Sequence, residues 1–529
     1  MNSHRSVSRR DFLKLASLAS LSGALAPLVG NVMASDGRVG RAIFEAVSRP
    51  SEAISPKNII ILVFDAWSAE NVSLYGYPRQ TMPNLERFAE NAVVYHRHYS
   101  AGTFTIPGTA SLLTGTLPWT HRAFSLGAGA LRTFENRQAF SLLTGKYSTL
   151  GYAQNKYADI FLKQFHRSLD THVSGSAFNY EQRAFYTPWF QNDAQVAFSA
   201  FDDNLVRDSD GYDASLFLGP FLRTLHLAER RSDESSHRLA YPLGLPETDA
   251  REFFSLGSVV DGAIRLLENL QAPTFAYLHF YPPHDPYSPT KKFKGGFLGL
   301  DAWEPQEKPI HPLASLQKDF GDLLGKRHIY DDYLASWDDV VARLFDFLRD
   351  SGLLETSYVF VTSDHGEMFE RGELGHVTPL IYEPLIHIPL LVSRPGQKGR
   401  EDIHADTSSV DILPTLAHLG GLPRPAWAEG QILPGLGGSE EPARSLFTVE
   451  AARNPAFVPL DRASISLTKS RQRLTWYNYP DYQGFEFYDL EADPGELNDL
   501  YPSQPAAARQ MWDEMLQALA EADRPYHKE

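Results

Sequence analysis

The chain has 529 residues, 43% hydrophobic and 22% charged, which are proportions of a folded globular protein able to bury a large core. A net charge of −16 argues against a nucleic-acid partner, because there is no basic domain to neutralise phosphates. With no cysteine, disulfides and thiolate metal sites are excluded.

At the N-terminus, Ser8-Arg9-Arg10-Asp11-Phe12-Leu13-Lys14 precedes a mildly apolar run from Leu15 to Val29. That run is too short and too polar to span a bilayer. Val32-Met33-Ala34 then offers small residues at a cleavage point before Ser35. Residues 1–34 resemble a twin-arginine export signal, which carries folded proteins across the membrane. The expectation is a periplasmic or secreted protein with no transmembrane anchor after cleavage. Residues 35–56 read as a polar linker.

Ile59-Ile60-Ile61-Leu62-Val63-Phe64 is an uninterrupted apolar run, the pattern of a parallel strand covered on both faces, and it ends in Asp65. Met82 to Ala89 starts an amphipathic helix. Thr105-Ile-Pro-Gly-Thr-Ala-Ser-Leu-Leu-Thr-Gly115 reads as a loop running into a helix, with Thr105 as N-cap and Pro107 in the first turn. A hydroxyl there sits at the positive end of the helix dipole, a setting that suits a tetrahedral anion and a group that attacks it.

A further apolar unit lies at Tyr147 to Tyr152. Residues from about 160 to 255 read as an insertion of helices and loops. Thr274 to Phe280 is a strand, and its inner His279 reads as a core residue; Pro282-Pro283 then stop the strand and hold His284 on a rigid loop. Tyr330 to Asp350 carries Tyr333, Trp337, Val341, Leu344 and Leu348 at helical spacing. Ser357 to Thr362 is another buried strand, running into Ser363-Asp364-His365-Gly366-Glu367, with His376 soon after. Pro389 to Val392 is a strand, and Ser409 to Leu419 a helix stopped by Gly420-Gly421. The remainder reads as strands around Ala463, Leu474 and Phe485, then a helix from Pro505 to about Ala522.

Strands alternating with helices imply a mainly parallel sheet, so Asp65, His284 and Asp364-His365 can meet at its C-terminal edge. Two carboxylates and an imidazole suit a divalent metal, and a metal beside Thr105 would lower its hydroxyl pKa.

In order along the chain, Asp65, Ala110-Ser111-Leu112-Leu113-Thr114-Gly115, Pro283-His284-Asp285-Pro286-Tyr287 and Ser363-Asp364-His365-Gly366-Glu367 resemble blocks of the sulfatase family, in the alkaline phosphatase superfamily. Phe487 to Glu496 resembles its C-terminal signature. The resemblance implies an α/β fold, an alkaline-phosphatase-like sandwich with a large mainly parallel sheet and a smaller C-terminal subdomain with an antiparallel sheet. A catalytic domain over 57–430 and a subdomain over 431–529 are expected.

Family sulfatases carry a Cys or Ser, oxidised to formylglycine, where this chain has Thr105, and an Arg where it has Thr109. Ala66 stands where many members have a second acid. No formylglycine is therefore expected. Thr105, Asp65, Asp364 and His365 instead resemble the Thr nucleophile and metal ligands of the phosphoethanolamine and phosphoglycerol transferases of the same superfamily. The resemblance implies one divalent ion (Ca²⁺ or Mn²⁺, with Zn²⁺ an option) on Asp65, Thr105, Asp364 and His365. His284 would act as general acid, His376 on the transferred group, and Lys156 as added positive charge. The expected substrate is an anionic sulfuric or phosphoric ester. The competing readings are a phospho-headgroup transferase and a non-catalytic binding protein of the same fold.

Overall fold

The computed structural model describes residues 57–180, 235–249, 252–271, 273–298 and 305–527. The export signal, the linker and most of the insertion lie outside the described residues. Strand β1 is Asn58–Phe64, β2 is Val93–Tyr95, β3 is His98–Tyr99, β4 is Ser148–Ala153 and β5 is Thr171–Val173. Next come β6, Thr274–Phe280, β7, Ser357–Thr362, β8, Met368–Glu370, β9, Glu373–Gly375, and β10, Leu390–Ser393. The short strands β11, Glu401–Ile403, and β12, Thr407–Ser408, precede a C-terminal group: β13, Leu446–Glu450, β14, Ala463–Lys469, β15, Gln472–Tyr479, and β16, Tyr482–Asp489.

Among the described residues, the central sheet has eight strands in the order β11-β2-β10-β7-β1-β6-β4-β5. Only β10 runs against its neighbours, so the sheet is mainly parallel, as expected. Every residue of β1 is buried. Its alternation sorts the side chains into two layers: Ile60, Leu62 and Phe64 pack with Val259, Val260, Trp337 and Val341 of the Leu256–Glu268 and Phe320–Asp350 helices. Ile59, Ile61 and Val63 pack on the opposite face with Ile106, Leu112, Leu413 and Leu416 of the Thr105–Thr114 and Ile412–Leu419 helices. Burying each such side chain contributes about 1.5–3 kcal/mol, which is why the apolar run, more than any cap, sets the centre of the fold.

Strands β13 to β16 form a separate antiparallel meander. Its inner side chains, Ile465, Leu467 and Leu474, pack against Met511 and Met515 of the Pro505–Asp523 helix and against Trp119 and Phe124 of the main body. The long helix begins at Phe320, ten residues before its apolar stripe, with Asp319 accepting from the Asp322 amide as N-cap. Among the described residues, no helix is long and apolar enough to cross a membrane.

Candidate active site

Asp65 leaves β1 at the C-terminal edge of the sheet and is fully buried. The next residue, Ala66, is held at φ 57°, a left-handed conformation unusual for a side chain with Cβ. Its carbonyl accepts from the Tyr330 hydroxyl at 2.7 Å, which fixes the turn. From β7, Ser363 ties the same edge together, donating to Phe64 O at 2.7 Å and accepting from the Trp67 amide at 3.1 Å. Asp364 and His365 follow on a buried loop.

The Thr105–Thr114 helix lies against that loop. A Cβ on Gly108 would sit 2.3 Å from Asp364 O, so only glycine lets the helix approach so closely. Thr105 is not the N-cap expected from sequence: Phe104 is the extended cap residue and Thr105 is the first helical residue. Its hydroxyl is committed elsewhere, at 3.2 Å from His365 Nε2 and 3.4 Å from Asn155 Nδ2, and is not turned back onto the helix amides.

The protonation of His365 follows from its partners. Nδ1 lies 2.8 Å from Gly366 O, a carbonyl that only accepts, so Nδ1 carries a proton. Nε2 faces Asp65 Oδ1 at 3.4 Å and Asp364 Oδ2 at 3.6 Å. Burial works against charge on the ring, but these two carboxylates outweigh it and raise His365, so Nε2 holds a proton until a cation takes its place. Neither of those carboxylate oxygens has a hydrogen-bond partner. One ligand atom from each of Asp65, Asp364 and His365 lies within 4.8 Å of the others. Two buried carboxylate oxygens without hydrogen-bond partners among the described residues, converging with an imidazole nitrogen, fit a divalent cation. Burial would raise Asp65, yet His284, His279 and His365 hold it well below the usual carboxylate range. Burial and then the charge of Asp65 push Asp364 up. A cation between them lets both ionise together.

Two residues that the sequence reading did not assign also belong to this cluster. His279, taken there as a core residue, donates from Nε2 to Asp65 Oδ2 at 3.0 Å, while Tyr277 OH contacts its Nδ1 at 2.9 Å. It is the last residue but one of β6, paired with Val63, so it reaches the same edge as Asp65. Asn155, the N-cap of the Lys156–Gln164 helix, donates to Asp65 Oδ2 at 2.6 Å. A polar cap directly after β4 is the signal that could have found it.

Lys156, by contrast, donates to Asp249 O at 3.1 Å and lies 4.9 Å from the Tyr157 ring centre. Lys156 was expected to add positive charge at the site; the residue before it, Asn155, is the one that contacts Asp65 and Thr105.

His284 lies on the loop between the cis bonds Pro282–Pro283 and Asp285–Pro286. Its Nδ1 donates to Asp285 O at 2.6 Å. Burial works against its charge, but Asp65, Asp285, Asp249 and Glu367 outweigh that and raise it to about 10. The His376 ring is 4.6 Å from that of His284 and 4.4 Å from that of His365. His376 Nδ1 lies 3.1 Å from Glu367 Oε1. Burial, then His365 and His284, push His376 down, so it stays neutral. Burial pushes Glu367 up to about 7 against the pull of His284 and His365.

Thr105, His284 and His376 line one cavity of about 660 Å³, whose wall also includes Tyr157, Asp249 and Lys326. The site therefore presents a hydroxyl beside a cation-ready cluster, with a protonated and a neutral imidazole across an open volume.

A sequence profile described as "Sulfatase" matches residues 57–422, and one described as "N-sulphoglucosamine sulphohydrolase, C-terminal" matches residues 372–524. The choline-sulfatase of Rhizobium meliloti is 24% identical over 455 residues, 79% of this chain and 77% of that protein. The multifunctional alkaline phosphatase superfamily protein PehA of Trinickia caryophylli is 23% identical over 515 residues, 88% of this chain and 95% of that protein. Among solved structures, the phosphonate monoester hydrolase of Silicibacter pomeroyi superposes with a TM-score of 0.62 at 19% identity, covering 89% of this chain and 96% of the other.

Proposed function

We propose that this chain, which belongs to the sulfatase family and is a hydrolase of sulfuric or phosphoric esters, uses the hydroxyl of Thr105 as its nucleophile in place of a formylglycine. The observation that carries this is the placement of Thr105 Oγ1 at 3.2 Å from Nε2 of His365, within the Asp65–Asp364–His365 cluster.

Asp65, Asp364 and His365 would hold the metal beside Thr105. The imidazole among the ligands favours Mn²⁺ or Zn²⁺ over Ca²⁺, which prefers oxygen. When bound, such an ion supplies Lewis-acid stabilisation of the ester oxygens and a lowered hydroxyl pKa.

The chain's own residues do the rest. Asn155 fixes Thr105 by an amide hydrogen bond and holds Asp65 in the same grip. His284, anchored through Nδ1, retains its Nε2 proton for the leaving oxygen. Thr105 Oγ1, having released its proton to solvent, forms a bond to phosphorus or sulfur as the leaving oxygen departs with the His284 proton. Neutral His284 then takes a proton from water, whose hydroxide attacks the phospho- or sulfo-threonine and frees Thr105 Oγ1 as the alkoxide for the next turnover. His376, neutral, presents Nε2–H to the transferred group when Glu367, raised to about 7, is protonated and donates to Nδ1. Phosphorus is favoured over sulfur, because a plain alkoxide lacks the elimination route that a formylglycine hydrate uses to release sulfate. Residues 1–34 support export of the enzyme by the twin-arginine route.

The test is an assay of the purified protein with Mn²⁺ against matched aryl phosphate, aryl phosphodiester and aryl sulfate esters, with Thr105→Ala alongside. Turnover of a phosphorus ester that disappears in the variant is the expected result. Turnover that survives in Thr105→Ala would remove Thr105 from the chemistry.

A further inference from the structure

The β8–β9 hairpin lines two cavities. Glu373 to Val377 border the catalytic one, while Phe369 to Gly372 border a second cavity of about 560 Å³. The opening turns of the Phe320–Asp350 helix also line this second cavity, through Phe320, Leu323 and Arg327.

Arg327 is only 6% exposed. Its Nε has no hydrogen-bond partner, and among the described residues the guanidinium takes part in no hydrogen bond or ion pair. The carboxylates around it are committed to other cations. Glu370 pairs with Lys308 at 2.8 Å, Glu70 with His387 at 2.9 Å, Asp331 with Arg79 at 2.8 Å, and Glu383 with Arg473. Arg371, on the hairpin, brings a second guanidinium to the cavity; its Nη2 donates to Glu496 O, and its Nε, without a hydrogen bond, lies 3.6 Å from Glu370 Oε1. Lys318 stands at the same wall.

A guanidinium keeps its charge at any physiological pH, so burial cannot neutralise it as it can a lysine or a carboxylate. A buried, permanently charged fork of donors facing open volume calls for an acceptor with two oxygens. We propose that this cavity is a binding site for a small oxyanion, a carboxylate, phosphate or sulfate group, held in bidentate fashion by Arg327 and seconded by Arg371. The site is separate from the catalytic cavity and does not use Thr105 or the metal cluster.

Isothermal titration of the full-length, metal-loaded protein with inorganic phosphate and, separately, acetate tests it. Wild type and Thr105→Ala are expected to show the same Arg327-dependent binding event. Arg327→Gln and Arg327→Met are each expected to weaken that event at least tenfold. Both variants should also lose the part of the phosphate-induced rise in melting temperature that belongs to it. Binding of phosphate but not acetate identifies a tetrahedral ligand, and binding of both identifies any small oxyanion. Isotherms identical in wild type and the Arg327 variants would overturn the proposal, as would a wild type with no phosphate or acetate binding beyond the catalytic cavity. The latter result would mean that water alone solvates Arg327. Because Thr105→Ala keeps this site, its fate is independent of the catalytic reading.

Discussion

Thr105 Oγ1 lies 3.2 Å from His365 Nε2, while His365 Nδ1 donates to the Gly366 carbonyl. The hydroxyl therefore stands beside the nitrogen that would bind a metal, so an ion held there would lie next to Oγ1 and lower its pKa. Replacing Thr105 by Ala should lower kcat by roughly a thousandfold or more while the fold persists. Thr105→Ser, which keeps the oxygen, should retain measurable turnover. Steady-state kinetics on a single phosphorus ester, with circular dichroism as the folding control, reads both.

His279 acts through Asp65. Its Nε2–H holds Asp65 Oδ2, leaving Oδ1 free for the cluster. His279→Ala should weaken metal affinity by roughly 10- to 100-fold, and His279→Gln, which keeps a donor, should recover part of it. Metal titration followed by calorimetry measures this without any assay of turnover. Equal affinity in wild type and His279→Ala would reduce the residue to packing.

These two residues also show what was legible beforehand. Asp65, Thr105, Asp364 and His365 stand where apolar runs end or a helix begins, and chain order alone placed them together. His279 reads as a core residue because it lies inside an apolar strand. Only its pairing with Val63 shows that the last turn of the pleat already reaches the sheet edge. Asn155 was hidden behind Lys156: a charge attracts attention, yet the cap residue before it makes the contact. Phe320 to Ile329 does not read as helix because Gly321, Gly325 and a run of charged residues dilute the apolar stripe that starts at Tyr330. The parallel sheet was legible, whereas the reversal of β10 depends on packing between distant segments.

His284 sets an alkaline limb in the pH–rate profile. Its partners raise it to about 10, and a divalent ion beside Asp65 cancels the strongest of those attractions. The limb should therefore lie above the ordinary histidine value of about 6.5 and below 10. Activity falls as pH rises through it, because the proton destined for the leaving group is lost. In His284→Ala the limb should vanish and kcat fall roughly 10²- to 10⁴-fold. Esters with good leaving groups should suffer least.

Two buried histidines outside the site predict acid lability. Burial pushes His98 and His121 down to about 3. His121 Nδ1 accepts from the Ala123 amide at 3.0 Å, and Nε2 faces Ser111 Oγ at 3.0 Å on the active-site helix, so the ring is satisfied only when neutral. Since the folded values lie below the unfolded one, their stabilisation is complete above pH 6.5 and is lost as pH falls toward 3. Each contributes a slope worth on the order of a few kcal/mol across that window. Chemical denaturation at several pH values should show a shallower acid slope in His121→Gln. An unchanged slope would remove His121 from the effect.

Arg473 couples the C-terminal meander to the main body. From β15 it donates to Glu496 Oε1 at 2.8 Å and to Glu383, and all three side chains are buried. Arg473→Ala strands two carboxylates and should cost about 3–5 kcal/mol. Replacing all three by apolar residues of similar volume should cost far less. Denaturant midpoints of the single and triple variants separate a paired charge from a needed one.

Catalysis by Thr105 requires a covalent bond at its Oγ1, and that bond can be seen directly. Wild type and His284→Ala would be mixed with a phosphorus ester that proves to be a substrate, quenched in acid within the first turnover, digested and analysed by mass spectrometry. The peptide carrying Thr105 should bear the transferred phospho group, with more of it retained in His284→Ala, where water is not activated to release it. Turnover with that peptide unmodified in both proteins would contradict the account and make water, not Thr105, the nucleophile.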